Sequence, residues 1–242
     1  FFSIIKMEIL KGIEIIDLCL YVKKEKILVI SDLHIGYEEA LNKQGIFVPR
    51  FQFKDTINKL KKVLDSVEIN KIIILGDLKH EFGTISETEW KQTLAVLNLF
   101  ETKTKNISLI RGNHDNILGP IATKKNLQIV PYEKVNDILF MHGNKIFDDE
   151  NFKSAKVLIM GHEHPAITIR DKAKKESFKC FLLGSYQRKK LIVMPSFNTV
   201  TTGTDILKER LLSPYLKDVN KFRVLIVEDA QILDFGLVKD LK

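Results

Sequence analysis

Apolar runs rich in Ile, Val and Leu recur along the chain: IEIIDLCLYV (13–22), KILVIS (26–31), KIIILG (71–76), NISLIR (106–111), DILFMH (137–142) and KVLIMG (156–161). Near-continuous runs of this length predict strands buried on both faces. Two stretches carry a helical period instead. Phe53, Ile57, Leu60, Leu64 and Val67 return every three or four residues, with Lys and Asp on the other face. Ser86 and Glu89 have capping-box spacing, and Trp90, Leu94 and Leu97 follow at helical intervals. Strands alternating with helices predict an α/β layer arrangement for the first two-thirds of the chain. After residue 165 the pattern turns to strands (AITIR, ESFKCFLLGSY, KLIVMP, FRVLIVEDAQILDFGLV), which predict hairpins that extend or cover a second sheet. No domain boundary interrupts this order, so the 242 residues, 45% hydrophobic, predict one domain over 1–242.

Five of the six buried runs end in polar residues of one kind. KILVIS leads into Asp32-Leu33-His34, KIIILG into Asp77-Leu78-Lys79-His80, and NISLIR into Gly112-Asn113-His114-Asp115. DILFM leads into His142-Gly143-Asn144, and KVLIMG into His162-Glu163-His164-Pro165. Taken singly, each is a turn or surface residue as readily as a ligand. Together they hold all 6 histidines of the protein. The carboxyl ends of strands in α/β sheets are where sites assemble, so these side chains can converge. Asp, Asn and His without Cys suit hard-to-borderline divalent cations and argue against a structural zinc or iron–sulfur site. Gly76, Gly112, Gly143 and Gly161 stand beside the candidates, where the backbone must turn tightly.

Charge changes the picture less. The net charge of +7 invites a nucleic-acid partner. Yet the excess is mostly Lys interleaved with Asp and Glu, as on an ordinary solvated surface. The densest basic stretches are 170–180 and 187–190, open to both readings. MPSFN (194–198) and TVTTGTD (199–205) either border a substrate cleft or simply connect strands. No apolar run is long enough to span a membrane. The opening FFSIIKMEIL makes a poor signal peptide, and Met7 could be the natural start. Cys19 and Cys180 lie far apart in apolar stretches and read as buried free thiols of a reducing, cytoplasmic compartment.

DLH, GDLKH, GNHD, HG and GHEHP, in that order over residues 32 to 165, resemble the calcineurin-like metallophosphoesterase family. The resemblance implies a four-layer αββα sandwich of two mixed sheets flanked by helices, with the site at the strand ends. It implies two divalent metal ions per chain, manganese foremost, with Fe, Ni or Zn as alternatives. Asp32, His34, Asp77 and His164 would hold one ion. Asp77 would bridge, and Asn113, His142 and His162 would complete the second. A hydroxide shared by the two ions would attack phosphorus. His114, no ligand in this scheme, would stabilise the phosphoryl oxygens or protonate the leaving alkoxide, with Asp115 orienting it. Arg111 is a substrate-binding candidate.

The sequence GDLKHE bears on which ester is cut. Protein Ser/Thr phosphatases carry an acid and Arg-Gly after this Gly-Asp, whereas this chain has His80 and Glu81. The match is better to the double-strand-break repair nucleases, whose Gly-Asp-Leu-Phe-His implies that His80 helps place the scissile phosphate. Those nucleases continue into a capping domain, and only 77 residues follow Pro165 here. The chain thus resembles the small archaeal SbcD-related phosphoesterases, and those found beside DNA ligases in bacteria. The implied activity is a phosphodiesterase acting on nucleic acid or nucleotides, as a possible homodimer. The alternatives are a phosphomonoesterase and an inactive scaffold binding a protein partner. A scaffold should have eroded ligands, whereas all seven candidates and both other histidines are present.

Overall fold

The computed structural model describes residues 4–48, 51–83, 85–115, 118–171, 174–228 and 231–242. The apolar runs form strands, in keeping with their β-branched content. A first sheet takes its strands in chain order: β1 (Lys6–Leu10), β2 (Ile13–Ile16), β3 (Cys19–Val22), β4 (Ile27–Ile30), β5 (Lys71–Ile74), β6 (Ile107–Ile110) and β7 (Gln128–Val130). β1 to β4 meander antiparallel, and β4 to β7 run parallel. Parallel neighbours require crossovers. These are α1 (Tyr37–Lys43) and α2 (Gln52–Asp65), then α3 (Glu87–Glu101), then α4 (Gly119–Lys125).

The second sheet contains β8 (Tyr132–Val135), β9 (Ile138–Met141), β10 (Val157–Met160), β11 (Pro165–Asp171), β12 (Lys174–Tyr186), β13 (Lys189–Val193), β14 (Thr204–Asp205), β15 (Arg223–Glu228) and β16 (Gln231–Leu237). Its order is β14-β11-β12-β13-β10-β9-β8, with β15 on β12 and β16 on β15. β9, β10 and β13 are parallel, and α5 (Glu150–Ser154) connects the first two. Opposite Val193 at the carboxyl end of β13 stands Leu182 of β12. Residues 165–171 and 174–179 therefore run past that edge as an antiparallel pair, with Lys174 and Lys175 exposed at its outer end.

One apolar cluster joins Ile15, Leu28, Ile73 and Leu109 of the first sheet to Phe140, Ile159, Phe181 and Ile192 of the second, so the sheets pack face to face. α2 adds Leu60, Val63 and Leu64 to this cluster, and α3 adds Val96, Leu97 and Phe100. The alternate residues of the second sheet, among them Leu139, Leu158 and Leu182, pack on Phe152 of α5, Tyr215, Leu216 and Phe222. The result is the expected sandwich of two mixed sheets, with one difference. Its outermost layer beyond the second sheet is α5 and the segment 206–222, which holds no helix. Ile206, Tyr215, Val219 and Phe222 are buried there without a helical period, and Pro214 lacks the N–H a helix would use.

Two further departures are local. The run 13–22 is two strands, split at Asp17, whose φ of 53° turns the chain. Ser86 caps α3 by accepting from Glu89 N–H at 3.0 Å, but the Glu89 carboxylate turns away from the cap. Cys19 and Cys180 are buried and free. Among the described residues, no helix is long and apolar enough to cross a membrane.

Candidate metal centre

The loops after β4, β5 and β6 of one sheet, and after β9 and β10 of the other, meet at the strands' carboxyl ends. Facing donor atoms of Asp32, His34 and His164 lie within 4.8 Å of one another, as do those of Asp77, His142 and His162. Asp77 Oδ2 stands between the groups, 3.7 Å from His34 Nε2 and 3.4 Å from His142 Nε2. Asn113 Oδ1 lies 2.9 Å from His142 Nε2. All seven residues expected as ligands are thus brought into one cluster.

The backbone is bent sharply to achieve this. Asp32, His34, Asp77, His162 and His164 have φ of 50°, 45°, 48°, 69° and 50°. Left-handed conformations of this kind cost non-glycine residues roughly 1–3 kcal/mol each and persist only where the surroundings hold them. Here Asp32 Oδ2 accepts from the Ser31 hydroxyl and from His162 N–H at 3.0 Å, tying β4 to β10. Asp77 Oδ1 accepts from His114 N–H at 2.9 Å, tying β5 to β6. The loops also approach too closely for side chains. A Cβ on Gly112 would lie 2.1 Å from Asp77 Oδ1, and one on Gly161 would lie 1.9 Å from Ser31 Oγ. Gly161→Ala should therefore lower the free energy of unfolding by roughly 1–3 kcal/mol, the usual cost of overpacking. Denaturant titration checks this, and an unchanged midpoint would mean that the junction yields freely.

The protonation states of His34 and His162 suit cation binding, whereas His142 has to give up a proton when a cation binds. Burial lowers the pKa of His34 to about 3 and that of His162 to about 4, so both rings are neutral and offer lone pairs at neutral pH. Burial pushes the Asp32 carboxyl up, but the His164, His142 and His34 rings outweigh it and hold Asp32 below the usual carboxylate range. His142 is pushed down by burial, yet its bond to Asp77 and the charges of Asp77 and Asp32 raise it to about 9. Its Nδ1 donates to Leu75 O at 2.7 Å, which turns Nε2 into the site. Among the described residues Asp32 Oδ1 is buried without a hydrogen-bond partner, 3.4 Å from His164 Nε2, which in turn faces His34 Nε2 at 3.2 Å. An orphaned carboxylate oxygen beside opposed imidazole nitrogens fits divalent cations.

The expected catalytic residues are placed less uniformly. His114 has its ring 4.8 Å from that of His34, and its Nδ1 bonds the His80 carbonyl. His80 and His114 come within 4.8 Å of His34 through their ring nitrogens. Burial lowers His80 to about 4, and its ring stacks on Tyr37 with centroids 3.9 Å apart. Asp115 does not orient His114. Its buried carboxylate accepts instead from the backbone N–H of Asp77 (2.8 Å), Leu78 (3.1 Å) and Gly112 (2.9 Å). On so tight a turn, neighbouring side chains point apart, and the His80 carbonyl takes the orienting place. Burial and the Asp77 charge raise Asp115 to about 6. Arg111 is exposed at the end of β6, and among the described residues its guanidinium bonds no member of the site.

Some residues at the site carried no clear signal in the sequence. Glu89 Oε1 accepts from His80 N–H and Glu81 N–H, each at 3.0 Å, and fixes the loop that presents His80. Its place in the capping box concealed this. Glu163, between two ligand candidates, accepts from Leu212 N–H (2.9 Å) and Ser213 N–H (2.8 Å), anchoring the helix-free outer segment. Phe82, 55% exposed, lies against the His114 ring with centroids 3.7 Å apart. Asn198 Nδ2 donates to Leu33 O at 3.1 Å, and a Cβ on Gly203 would lie 2.0 Å from His164 O. The 194–205 loop therefore borders the centre. The basic stretches divide. Lys174 and Lys175 stand on the site's side, and Lys172 is outside the described residues. Arg188 to Lys190 lie at the far edge of the sheet, where Lys189 Nζ donates to Lys153 O and Ala155 O, each at 2.7 Å.

A family model for calcineurin-like phosphoesterases matches residues 25–193. No curated protein matches the chain. Among solved structures, the nuclease MPE of Pseudomonas putida aligns with a TM-score of 0.67 at 20% identity, over 96% of this chain and 100% of that one. Vps29 from Cryptosporidium parvum aligns with a TM-score of 0.39 at 17% identity, over 87% of this chain and 97% of that one. The first of these likenesses is one of fold.

Proposed function

The chain belongs to the calcineurin-like phosphoesterase family and is a metal-dependent phosphoesterase, and from this premise we propose that it is a phosphodiesterase acting on nucleic acid or nucleotides. The observation that carries the proposal is His80, turned into the site beside His114 and His34. A monoester dianion calls for a cationic clamp on its terminal oxygens. The rings next to His114 are instead the neutral imidazole of His80, itself stacked on Tyr37, and Phe82. The nearby Lys79 ammonium is buried and donates to Glu81 O, and among the described residues Arg111 bonds none of these rings. That lining suits a singly charged diester with an organic group on each side. The SbcD-related phosphoesterases, which GDLKHE resembles, fit the same reading.

In this proposal Asp32, His34, Asp77, Asn113, His142, His162 and His164 hold two divalent cations, with manganese the first choice for such a donor set. When bound, the cations would supply Lewis-acid activation of water and of the phosphoryl oxygens. The chain supplies the rest. His80, held by Glu89 and Tyr37, donates a ring N–H to a non-bridging oxygen. His114, held through Nδ1, presents Nε2 to the leaving oxygen and delivers a proton to it. Asp115 positions both loops through backbone N–H groups. The buried thiols of Cys19 and Cys180 fit a reducing cytoplasm.

Rates on bis-p-nitrophenyl phosphate, single-stranded DNA and p-nitrophenyl phosphate with Mn²⁺ test the assignment. The diesters should exceed the monoester in kcat/KM by about tenfold or more, a difference of about 1.4 kcal/mol in the barrier. A faster monoester makes the protein a phosphomonoesterase. No turnover with any divalent cation leaves the scaffold.

A further inference from the structure

On the outer side of the 194–205 loop lies a second cleft, of about 270 Å³, whose lining includes Lys59, Ser177, Lys179, Thr199, Thr201 and Thr202. Lys179 is half-buried at its base. Its Nζ donates to Ser196 O at 3.0 Å and to Ser196 Oγ at 2.7 Å. Among the described residues it has no carboxylate partner. Lys59 is held by Asp17 Oδ1 at 3.0 Å. Burial and the Lys59 charge lower the Lys179 amine to about 7, with the Asp32 carboxylate acting in the opposite direction. An anion entering among these hydroxyl donors would favour the protonated form of the buried Lys179 amine and add a partner beside Lys59. One carboxylate, the exposed Glu228, also lines the cleft.

The loop that borders the cleft also borders the metal centre, through Asn198 at Leu33 O and Gly203 at His164 O. Asn198, Thr199 and Val200 line both the cleft and the crevice beside His34 and Tyr37. Further out, Thr201, Thr202 and Ser177 are shared with a third cleft, which contains Lys175 of the projecting strand pair. A strand of linked phosphates laid along this loop would pass from His34 to Lys59 and Lys179, and then toward Lys175.

We infer that Lys179 and Lys59 form a second phosphate subsite, which takes the phosphate adjacent in the chain to the one held at the metal centre, so that the substrate is an oligonucleotide strand. This inference rests on the proposed phosphodiesterase activity. It deepens that activity by assigning a subsite that a minimal diester cannot fill.

The test compares trithymidylate, with two internal phosphates, against thymidylyl-thymidine, with one. In the wild type the trimer should have the higher kcat/KM. Lys179→Met should lower the trimer-to-dimer ratio about tenfold, the worth of a charge-assisted hydrogen bond. A purely structural role, through Ser196 and the loop it begins, would slow both esters equally and leave the ratio in place. Lys59→Gln, on the outer surface of α2, should lower the same ratio and serves if Lys179→Met fails to fold. Binding of fluorescein-labelled oligothymidylate to metal-free protein across a KCl series gives a second readout. Either variant should reduce the salt slope by about 0.7, the share of one phosphate contact on a single strand. An unchanged ratio together with an unchanged slope overturns the subsite. If the wild type cleaves no diester yet the slope falls in the variants, the subsite stands and the proposed activity fails.

Discussion

Replacing His114 by Ala is expected to lower turnover of a nucleotide diester by about 10²–10⁴-fold, the range for loss of a general acid, while metal content stays at the wild-type amount. His114 belongs to neither the Asp32 nor the Asp77 group of donors, and its Nδ1 is occupied by the His80 carbonyl. Its Nε2 is the atom left for substrate. The leaving group supplies a sharper readout. An alkoxide needs a proton as the P–O bond breaks, whereas p-nitrophenolate departs without one. The loss should accordingly be far larger on DNA than on bis-p-nitrophenyl phosphate. Equal losses on both would assign His114 to phosphoryl-oxygen stabilisation, and a fully active variant would remove it from the mechanism.

Asp77→Ala is expected to abolish turnover and to take metal content from two ions per chain to one or fewer. Its Oδ2 lies within 3.7 Å of His34 Nε2 and 3.4 Å of His142 Nε2, so it serves both donor groups. Its Oδ1 accepts from His114 N–H, so the same change releases the proposed acid. Elemental analysis of the purified variant, with a melting curve to show that it folds, checks the outcome. Two ions retained at wild-type affinity would show that Asp77 does not bridge.

The strands of the first two-thirds were legible because their runs are buried on both faces and contain little but Ile, Val and Leu. β1, β7 and β8 carry no such run, being short and at most partly buried. α1, α4 and α5 are five to seven residues long, too short to display a period. The convergence of Asp32, His34, Asp77, Asn113 and the remaining histidines is legible because rare polar residues close five of the six buried runs. Asp115 was misplaced because adjacency in the chain does not fix where two side chains point. Glu89 and Glu163 act through backbone N–H groups distant in sequence, and Lys179 acts on Ser196, 17 residues later. No local pattern encodes such pairings.

Because the donors come from both sheets, a cation pair seated among them would rivet two layers that otherwise meet through an apolar interior and a few polar ties at its rim, such as Asp32 with His162 N–H. Asp32 and His164 are 132 positions apart in the chain, so the cradle exists only where both halves have docked. A ligand that recognises only this finished arrangement stabilises it by mass action. Chelation should then hasten unfolding, and metal supplied to a refolding chain should act on the lifetime of the native state more than on the speed of reaching it.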